Sequence, residues 1–208
     1  MPKLEEDVVE AYFKLNNYLT SKNITFPAIR KRKGGKGRGE IDILAIKIKG
    51  GRVKEAIRAE VSAGMAGTFP FRAKGEYKHA DAINKMLKKF FKGDADYKIK
   101  DFFGKRKYKS LMITNKFNKN TEENLKKSLG RKLIGKIKIK NGRLIFKIKY
   151  KKVKEIEVIP FDHILNEIEN TFKRDKKMIT MNFQDQTLHW LQYLFKERQK
   201  GPFKELKK

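Results

Sequence analysis

Two consecutive apolar, strand-prone segments, each interrupted by one carboxylate, constrain this chain more than any other feature. Residues 40–48 are EIDILAIKI and residues 52–62 are RVKEAIRAEVS, with Gly50-Gly51 between them. Apolar runs on either side of a glycine turn predict two neighbouring strands of a hairpin. Asp42 lies inside the first strand and Glu60 inside the second. A carboxylate in a buried strand is costly unless a partner compensates its charge, so both acids need one.

Two interpretations of these acids follow. Neighbouring strands can bring Asp42 and Glu60 together on one divalent cation, and carboxylate oxygens suit Mg²⁺ or Mn²⁺. Such a cation would activate a water and neutralise charge on a phosphodiester. Alternatively, each acid pairs with a nearby lysine or arginine and has no chemical role. Because both acids interrupt apolar strands, we favour the metal site.

The charge of the chain indicates a polyanionic partner. With 52 Lys+Arg against 24 Asp+Glu in 208 residues, the formal net charge is +28. A folded domain with that charge repels itself, and a bound polyanion relieves the repulsion. The hydrophobic fraction of 39% and the 15 Phe exclude a disordered basic tail. A lysine-rich thermophile composition would explain only part of the excess. We therefore predict nucleic-acid binding through phosphates.

The residue types that are missing exclude several classes of protein. The chain has no cysteine, which excludes disulfide frameworks, cysteine zinc sites and thiol nucleophiles. No apolar run approaches the roughly 20 residues of a membrane span. No signal peptide is visible either. We therefore predict a cytoplasmic protein with no membrane partner.

The periodicities along the chain predict a mixed α/β fold around one central sheet. Helical spacing predicts a first helix from residue 4 to about residue 21, and residues 24–29 favour a short strand. The basic residues 30–38 (RKRKGGKGR) are typical of a loop. After the two acid-bearing strands, we expect a loop over 63–75, a helix over 77–91, a strand over 108–114, a short helix over 121–129, a strand over 154–159 and helices over 160–172 and 183–198.

A lysine-rich hairpin is predicted over residues 136–150, KIKIKNGRLIFKIKY. Alternating runs on either side of Asn-Gly favour a two-residue turn. The basic face of this hairpin would lie along a nucleic-acid backbone, or it would protect a sheet edge from aggregation. The candidate backbone contacts in the hairpin are Lys138, Lys140 and Arg143. Those in the basic loop are Arg30, Lys31, Arg32, Lys33, Lys36 and Arg38.

The two acid-bearing strands resemble the signature of the PD-(D/E)xK nuclease superfamily, which includes many restriction endonucleases and the archaeal Holliday-junction resolvases. The matching residues are GEIDILAI at 39–46 and AEVS at 59–62. The predicted order of helix, three strands, helix and strand also matches, over about residues 4–115. The resemblance implies a restriction-endonuclease-like core over 1–115, a central mixed β-sheet flanked by helices. Residues 116–208 would extend the same domain with the basic hairpin, a strand and two C-terminal helices.

The resemblance also implies roles for individual residues. Asp42 and Glu60 would bind one Mg²⁺ or Mn²⁺, and the backbone carbonyl of Val61 would be a further ligand. Many members add a glutamate from the first helix, which here offers Glu5, Glu6 and Glu10. Glu5 is preferred because it lies on the inward, apolar stripe. An acid in a first helical turn is also favourable without any catalytic role.

Ser62 departs from the family pattern, because the motif lysine should stand at this position. A lysine would orient the attacking water and stabilise charge in the transition state, whereas a serine carries no charge. Three interpretations remain open. A lysine such as Lys78 or Lys85 reaches the site from the following helix, or the metal and Ser62 suffice, or the site binds without cutting.

The sequence therefore predicts a Mg²⁺-dependent endonuclease that hydrolyses DNA. A homodimer would place two sites by two-fold symmetry for cutting both strands. One alternative is a non-catalytic nucleic-acid-binding protein on the same fold. Another is an RNA-binding protein whose acids are merely paired.

Overall fold

The secondary structure comes from a computed structural model of the chain. It describes residues 4–29, 36–62, 68–69, 89–90, 95–117, 121, 123, 126–127, 133–140, 143–148, 154–175, 177–178 and 181–199. The helices are α1 (Leu4–Leu15), α2 (Asp96–Phe103), α3 (Phe161–Arg174) and α4 (Gln186–Gln199). The strands are β1 (Tyr18–Ile29), β2 (Lys36–Lys49), β3 (Arg52–Ser62), β4 (Thr68–Phe69), β5 (Lys109–Thr114), β6 (Lys116–Phe117), β7 (Leu133–Lys140), β8 (Arg143–Ile148) and β9 (Lys154–Pro160).

The central sheet has seven strands in the order β1-β2-β3-β5-β9-β8-β7. Its middle strands β3, β5 and β9 are parallel, and the outer strands on both sides are antiparallel. β4 and β6 form a separate parallel pair. The predicted α/β class with a mixed central sheet is thereby confirmed. None of the described helices has the length and apolarity needed to cross a bilayer.

Helices pack against both faces of this sheet. On one face, buried side chains of α1, α3 and α4, such as Phe13 and Ile168, pack against Ile43 and Ala59. On the other face, Ile99 and Phe103 of α2 belong to one cluster with Leu44 of β2. We call these the α1 face and the α2 face. Because side chains alternate along a strand, this division shows which face each residue of β3 occupies.

The first helix ends at Leu15, so the predicted end near residue 21 is wrong. Asn17 has a φ of 61°, a left-handed conformation that a helix cannot continue through. Tyr18 then begins β1, and Leu19, which extends the helical pattern in the sequence, is exposed. A single apolar residue on a strand can thus prolong an apparent helical period.

The remaining elements agree with the sequence to different degrees. β3 has the predicted bounds, and β5, β9, α3 and α4 lie within a few residues of theirs. β7 and β8 form the predicted antiparallel hairpin. β2 begins at Lys36, inside the loop predicted over 30–38. Most of the helix predicted over 77–91 lies outside the described residues. α2 was not predicted, because its eight residues, DYKIKDFF, offer only two buried side chains, Ile99 and Phe103, as a pattern.

Candidate active site

β2 and β3 separate at the position of Asp42. Their pairing ends at Ile43 and Ala59, although each strand stays paired with its other neighbour beyond that point. The side chain of Asp42 occupies the opening, where its Oδ2 accepts a hydrogen bond from the backbone amide of Val61 at 2.7 Å. A buried amide that loses its strand partner must find another acceptor, and here the acceptor is a carboxylate. The opening between the strands therefore holds a buried negative charge.

A shift in side-chain alternation along β2 occurs at Asp42. Ile43 and Ala45 lie on the α1 face, and Leu44 lies on the α2 face, as alternation requires. Ile41 should share the face of Ile43, but it belongs to the α2-face cluster instead. The alternation therefore slips by one residue at Asp42, and this irregularity coincides with the separation of β2 from β3.

β1 has the matching irregularity at Asn23, whose φ is 55°. This residue sits between two β1 residues that pair with β2 on either side of Asp42. Asparagine adopts a left-handed backbone more readily than most residues. With its amide oriented to satisfy both groups, Asn23 donates to Glu6 at 3.1 Å and to Glu40 at 3.2 Å. The backbone beside Asp42 thus has a defined, non-repeating conformation.

Glu60 reaches the same opening from β3. It is fully buried and, by alternation, lies on the α2 face with Arg58. Arg58 donates from Nε and Nη2 to the same oxygen, Oε1 of Glu60, at 3.1 and 2.8 Å. The other oxygen, Oε2, is buried and accepts no hydrogen bond from the described residues. Arg58 therefore holds one oxygen of Glu60 and leaves the second for another cation.

Lys89 joins the two carboxylates. Its Nζ lies 3.0 Å from Oδ2 of Asp42 and 3.2 Å from Oε2 of Glu60. The following residue, Phe90, is buried and lies 5.2 Å from the guanidinium of Arg58, which also donates to the backbone carbonyl of Lys89. The side chain of Lys89 is 39% exposed. The acids are therefore buried, and the ammonium that joins them borders solvent.

The ionisation of this cluster follows from burial and charge. Burial raises the pKa of Glu60 above its usual range; Arg58 opposes this effect and the charge of Asp42 adds to it. Burial acts to lower the pKa of Lys89, but the carboxylates of Glu60 and Asp42 outweigh it and raise that pKa. Lys89 is therefore an ammonium at neutral pH. Among the described residues, two acids face two cations, and their charges balance.

The two carboxylates fit the ligand set of a divalent ion. Oε2 of Glu60 is a buried acceptor without a hydrogen bond from the described residues, and it lies near the same ammonium as Oδ2 of Asp42. Within the described part of the chain, no group of three or more metal-ligating side chains forms a site. Mg²⁺ is often bound by one or two carboxylates, with waters and phosphate oxygens completing its shell. The pair therefore suits an ion that also binds substrate.

The other predicted members of the site lie at different places. Ser62 ends β3, paired with Thr114 and on the face of Glu60 by alternation. Val61 contacts the site through its amide. The resemblance implies its carbonyl as a metal ligand, and that stays a prediction. Glu5 lines a cavity of about 630 Å³ beside residues of the α1-face core. No contact among the described residues joins Glu5 to Asp42 or Glu60.

The other two glutamates of α1 are more deeply buried than Glu5. Glu6 meets Asn23, the neighbour of Asp42 on β1. Glu10 accepts from Thr20 at 2.9 Å and lies 2.9 Å from Nζ of Lys22. Of the three, Glu6 is therefore the one that contacts the β1 residue beside Asp42.

The lysines of the hairpin project from the opposite face of the sheet to Glu60. Directly paired residues of adjacent strands share a face. Through β8, Lys138 is in register with Glu157, which pairs with Leu111 of the α1-face core. Lys138 and Lys140 are both exposed. They are free to bind phosphates, but not from the face on which Glu60 lies.

Arg143, the third hairpin candidate, has partners within the protein. Its guanidinium lies 3.2 Å from Oε1 of Glu157 and 3.4 Å from the hydroxyl of Tyr12. Several other candidates lie outside the described residues: Arg30, Lys31, Arg32, Lys33, Lys78 and Lys85. Lys36 and Arg38 belong to β2, with only their backbone described.

Comparison with known proteins adds no assignment: no protein-family model, curated protein or solved structure matches this chain. The functional argument therefore depends on the geometry of the site.

Proposed function

We propose that this chain is a metal-dependent nuclease that hydrolyses DNA phosphodiester bonds, with a restriction-endonuclease-like core of the PD-(D/E)xK type. The observation that carries the proposal is that the buried carboxylates of Asp42 and Glu60 lie within 3.0 and 3.2 Å of one ammonium where β2 and β3 separate. The net charge of +28 supports a polyanionic substrate. The order α1, β1, β2, β3, with the acids on β2 and β3, supports the family resemblance.

In this proposal the acids hold the cation. Asp42 and Glu60 would bind Mg²⁺ or Mn²⁺, which supplies charge neutralisation at the scissile phosphate and activation of a water. Arg58 fixes Oε1 of Glu60 by two hydrogen bonds and so leaves Oε2 for the ion. The strand opening positions Oδ2 of Asp42 through the amide of Val61.

Lys89 takes the role of the motif lysine that Ser62 replaces. Its ammonium lies beside both carboxylates and borders solvent, where substrate would arrive. A positive charge there can orient the attacking water and stabilise the charge that develops on the phosphate. Of the three interpretations of Ser62, this geometry favours a lysine that reaches the site from the following helical segment. Ser62 would add a hydrogen bond.

A second candidate function is nucleic-acid binding without cleavage. The charge balance of the cluster favours it, because Arg58 and Lys89 already offset both acids, as in a structural ion-pair network. In that case the acids stabilise the fold and the basic surface binds the polyanion. The RNA-binding alternative, the homodimer and the cytoplasmic location stay predictions.

A cleavage assay tests the proposal. Supercoiled plasmid and branched DNA are incubated with wild type, Asp42→Asn and the matched control Asp101→Asn, with Mg²⁺, Mn²⁺ or EDTA. Asp101 is an exposed aspartate of α2, so its substitution makes the same chemical change away from the site. We expect metal-dependent cleavage by wild type and by Asp101→Asn, and none by a folded Asp42→Asn.

Two outcomes would contradict this reading. Cleavage that survives Asp42→Asn would remove the site assignment. Binding without cleavage on every substrate and with either metal would favour the second candidate function.

A further inference from the structure

A basic cleft lies near the N-terminal ends of β3 and β5, away from the carboxylate pair. Its volume is about 620 Å³, and the residues that bear on its chemistry are Lys54, Glu55, Arg106, Lys107, Tyr108 and Lys109. β3 and β5 run parallel, and the pairs nearest their carboxyl ends include Glu60 with Met112. The cleft and the carboxylate pair therefore lie towards opposite ends of the same two strands.

Part of the cleft is neutralised by its own residues. Glu55 lies 2.5 Å from Nζ of Lys109 and also accepts from the hydroxyl of Tyr18. Burial acts to raise the pKa of Glu55, but Lys109 and Tyr18 outweigh it and lower that pKa. Glu55 is therefore an anion already committed to Lys109, and it offers little compensation to the other cations.

Three cations of the cleft remain uncompensated within the described part of the chain. Lys54 and Lys107 are exposed, and neither is in an ion pair with a described carboxylate. Arg106 is also exposed and donates only to the backbone carbonyl of Phe103, at 3.3 Å, among its described contacts. A concave surface with unpaired cations concentrates positive potential, and such a surface attracts anions.

Tyr108 connects this cleft with the candidate active site. Its ring lies 5.4 Å from that of Phe103 in the α2-face core. Burial raises the pKa of Tyr108, and the charge of Arg58, which holds Glu60, opposes that effect. Lys107 lies five residues before Met112, the strand partner of Glu60. At about 3.3 Å per residue, the cleft lies roughly 17 Å from the carboxylate pair along the strand direction.

We infer that this cleft binds the phosphate backbone of a nucleic acid, about five base pairs from the phosphate at the carboxylate pair, given a rise of about 3.4 Å per base pair. The distance to the cut rests on the proposed nuclease function, whereas backbone binding by the cleft does not. Lys138 of the hairpin projects from the α1 face, whereas Tyr108 of the cleft packs against the α2-face cluster, the side on which Glu60 lies.

The salt dependence of binding tests the inference. Binding to a short fluorescent DNA duplex is measured in EDTA over a range of salt for wild type and Lys54→Gln/Lys107→Gln. The matched control is Lys173→Gln/Lys196→Gln, which removes two charges from α3 and α4 on the α1 face. If two phosphate contacts are lost, the slope of log affinity against log salt falls in magnitude by about 1.8. We expect this fall and weaker binding in the cleft variant and an unchanged slope in the control.

Equal loss of affinity and slope in both double variants would overturn the inference, because it would show a general effect of net charge. If the cleft variant lost binding to anionic lipid vesicles while its binding to duplex DNA stayed unchanged, the proposed class of partner would be wrong. Wild type that binds through the cleft but does not cut would leave this inference standing and remove the nuclease. Cleavage that depends on Asp42, together with normal DNA binding by the cleft variant, would overturn this inference and leave the nuclease proposal standing.

In wild type that cuts, a hydroxyl-radical footprint checks the distance. Protected sugars about five base pairs from the cut should lose protection in Lys54→Gln/Lys107→Gln. Protection that persists there in the variant would also overturn the inference.

Discussion

The carboxylate of Asp42 replaces a strand partner for the backbone amide of Val61. This contact, at 2.7 Å, lets β2 and β3 separate without leaving a buried donor unpaired. The opening that results is the place where Glu60 and Lys89 meet Asp42. One side chain therefore has a structural role and the proposed metal-binding role, and substitutions can separate the two.

Asp42→Asn should keep much of the stability that Asp42→Ala loses. Asparagine retains an oxygen that can accept the amide of Val61, whereas alanine leaves that buried donor unsatisfied, at a cost of about 1–3 kcal/mol. Urea unfolding of both variants measures the difference. Equal stabilities would show that the contact with Val61 is not what Asp42 contributes to the fold. In our proposal, both variants lose cleavage.

Lys89→Met should separate the contribution of Lys89 to stability from its proposed role in cleavage. Without the ammonium, the carboxylates of Asp42 and Glu60 lose a shared cation, so the free energy of unfolding should fall. Mg²⁺ that binds the folded state should offset this loss, because a ligand stabilises the state that binds it. We therefore expect Mg²⁺ to raise the melting temperature more in Lys89→Met than in wild type, with cleavage abolished.

The control for this experiment is Lys100→Met, which changes an exposed lysine of α2 in the same way. It should respond to Mg²⁺ as wild type does and should cut normally. Normal cleavage by Lys89→Met would show that another group does the work of the missing motif lysine. A melting temperature that Mg²⁺ leaves unchanged in Lys89→Met would contradict a metal site at this pair.

The acids could be predicted from the sequence because a charge inside an apolar strand is visible locally. The partnership of Arg58 with Glu60 could have been predicted as well, since residues two apart on a strand share a face. Lys89 could not, because no local feature separates it from the rest of the 52 Lys and Arg. Its place depends on how a distant helical segment packs against β3, and sequence periodicity does not contain that information.

The helices and strands also divide into those that local sequence predicts and those that depend on distant contacts. β3 was predicted with its observed bounds because its strand pattern is long and begins directly after a glycine turn. The predicted end of α1 was wrong because an exposed residue, Leu19, continued the helical period. The face of the hairpin lysines was also not predictable, because it depends on the register of β8 against β9. Pairing between strands distant in sequence decides which basic surface lies beside the acids.

Asn23→Val should destabilise the protein and also reduce the proposed cleavage. Valine at a φ of 55° costs about 1–2 kcal/mol, and relief of that strain would move the backbone beside Asp42. Asn17→Val is the matched control, because Asn17 has a φ of 61° but lies between α1 and β1. Both variants should lose stability in urea, and Asn23→Val should lose more because it also loses its hydrogen bonds to Glu6 and Glu40. Only Asn23→Val should also cut more slowly in native buffer. Equal cleavage by the two variants would show that the irregularity at Asn23 does not position Asp42.

Glu10 should make the stability of the fold depend on pH below neutrality. Burial acts to raise its pKa, but Lys22, Thr20 and Lys14 outweigh that effect and lower it below the usual value of 4.5. A carboxyl whose pKa is lower in the folded state stabilises the fold above its unfolded pKa, and this contribution is lost as the pH falls through the folded pKa. Glu10→Gln should therefore cost roughly 1–3 kcal/mol at neutral pH and progressively less as the pH falls below 4.5.

Urea unfolding of wild type and Glu10→Gln at a series of pH values measures this difference. Glu169→Gln serves as the control, because Glu169 forms a more exposed pair with Lys173 one helical turn away. Such surface pairs contribute little, so this variant should follow wild type at every pH. A cost for Glu10→Gln that stays constant through the acid range would mean that the charge of Glu10 contributes nothing. In that case its packing between α1 and β1 would account for the whole effect.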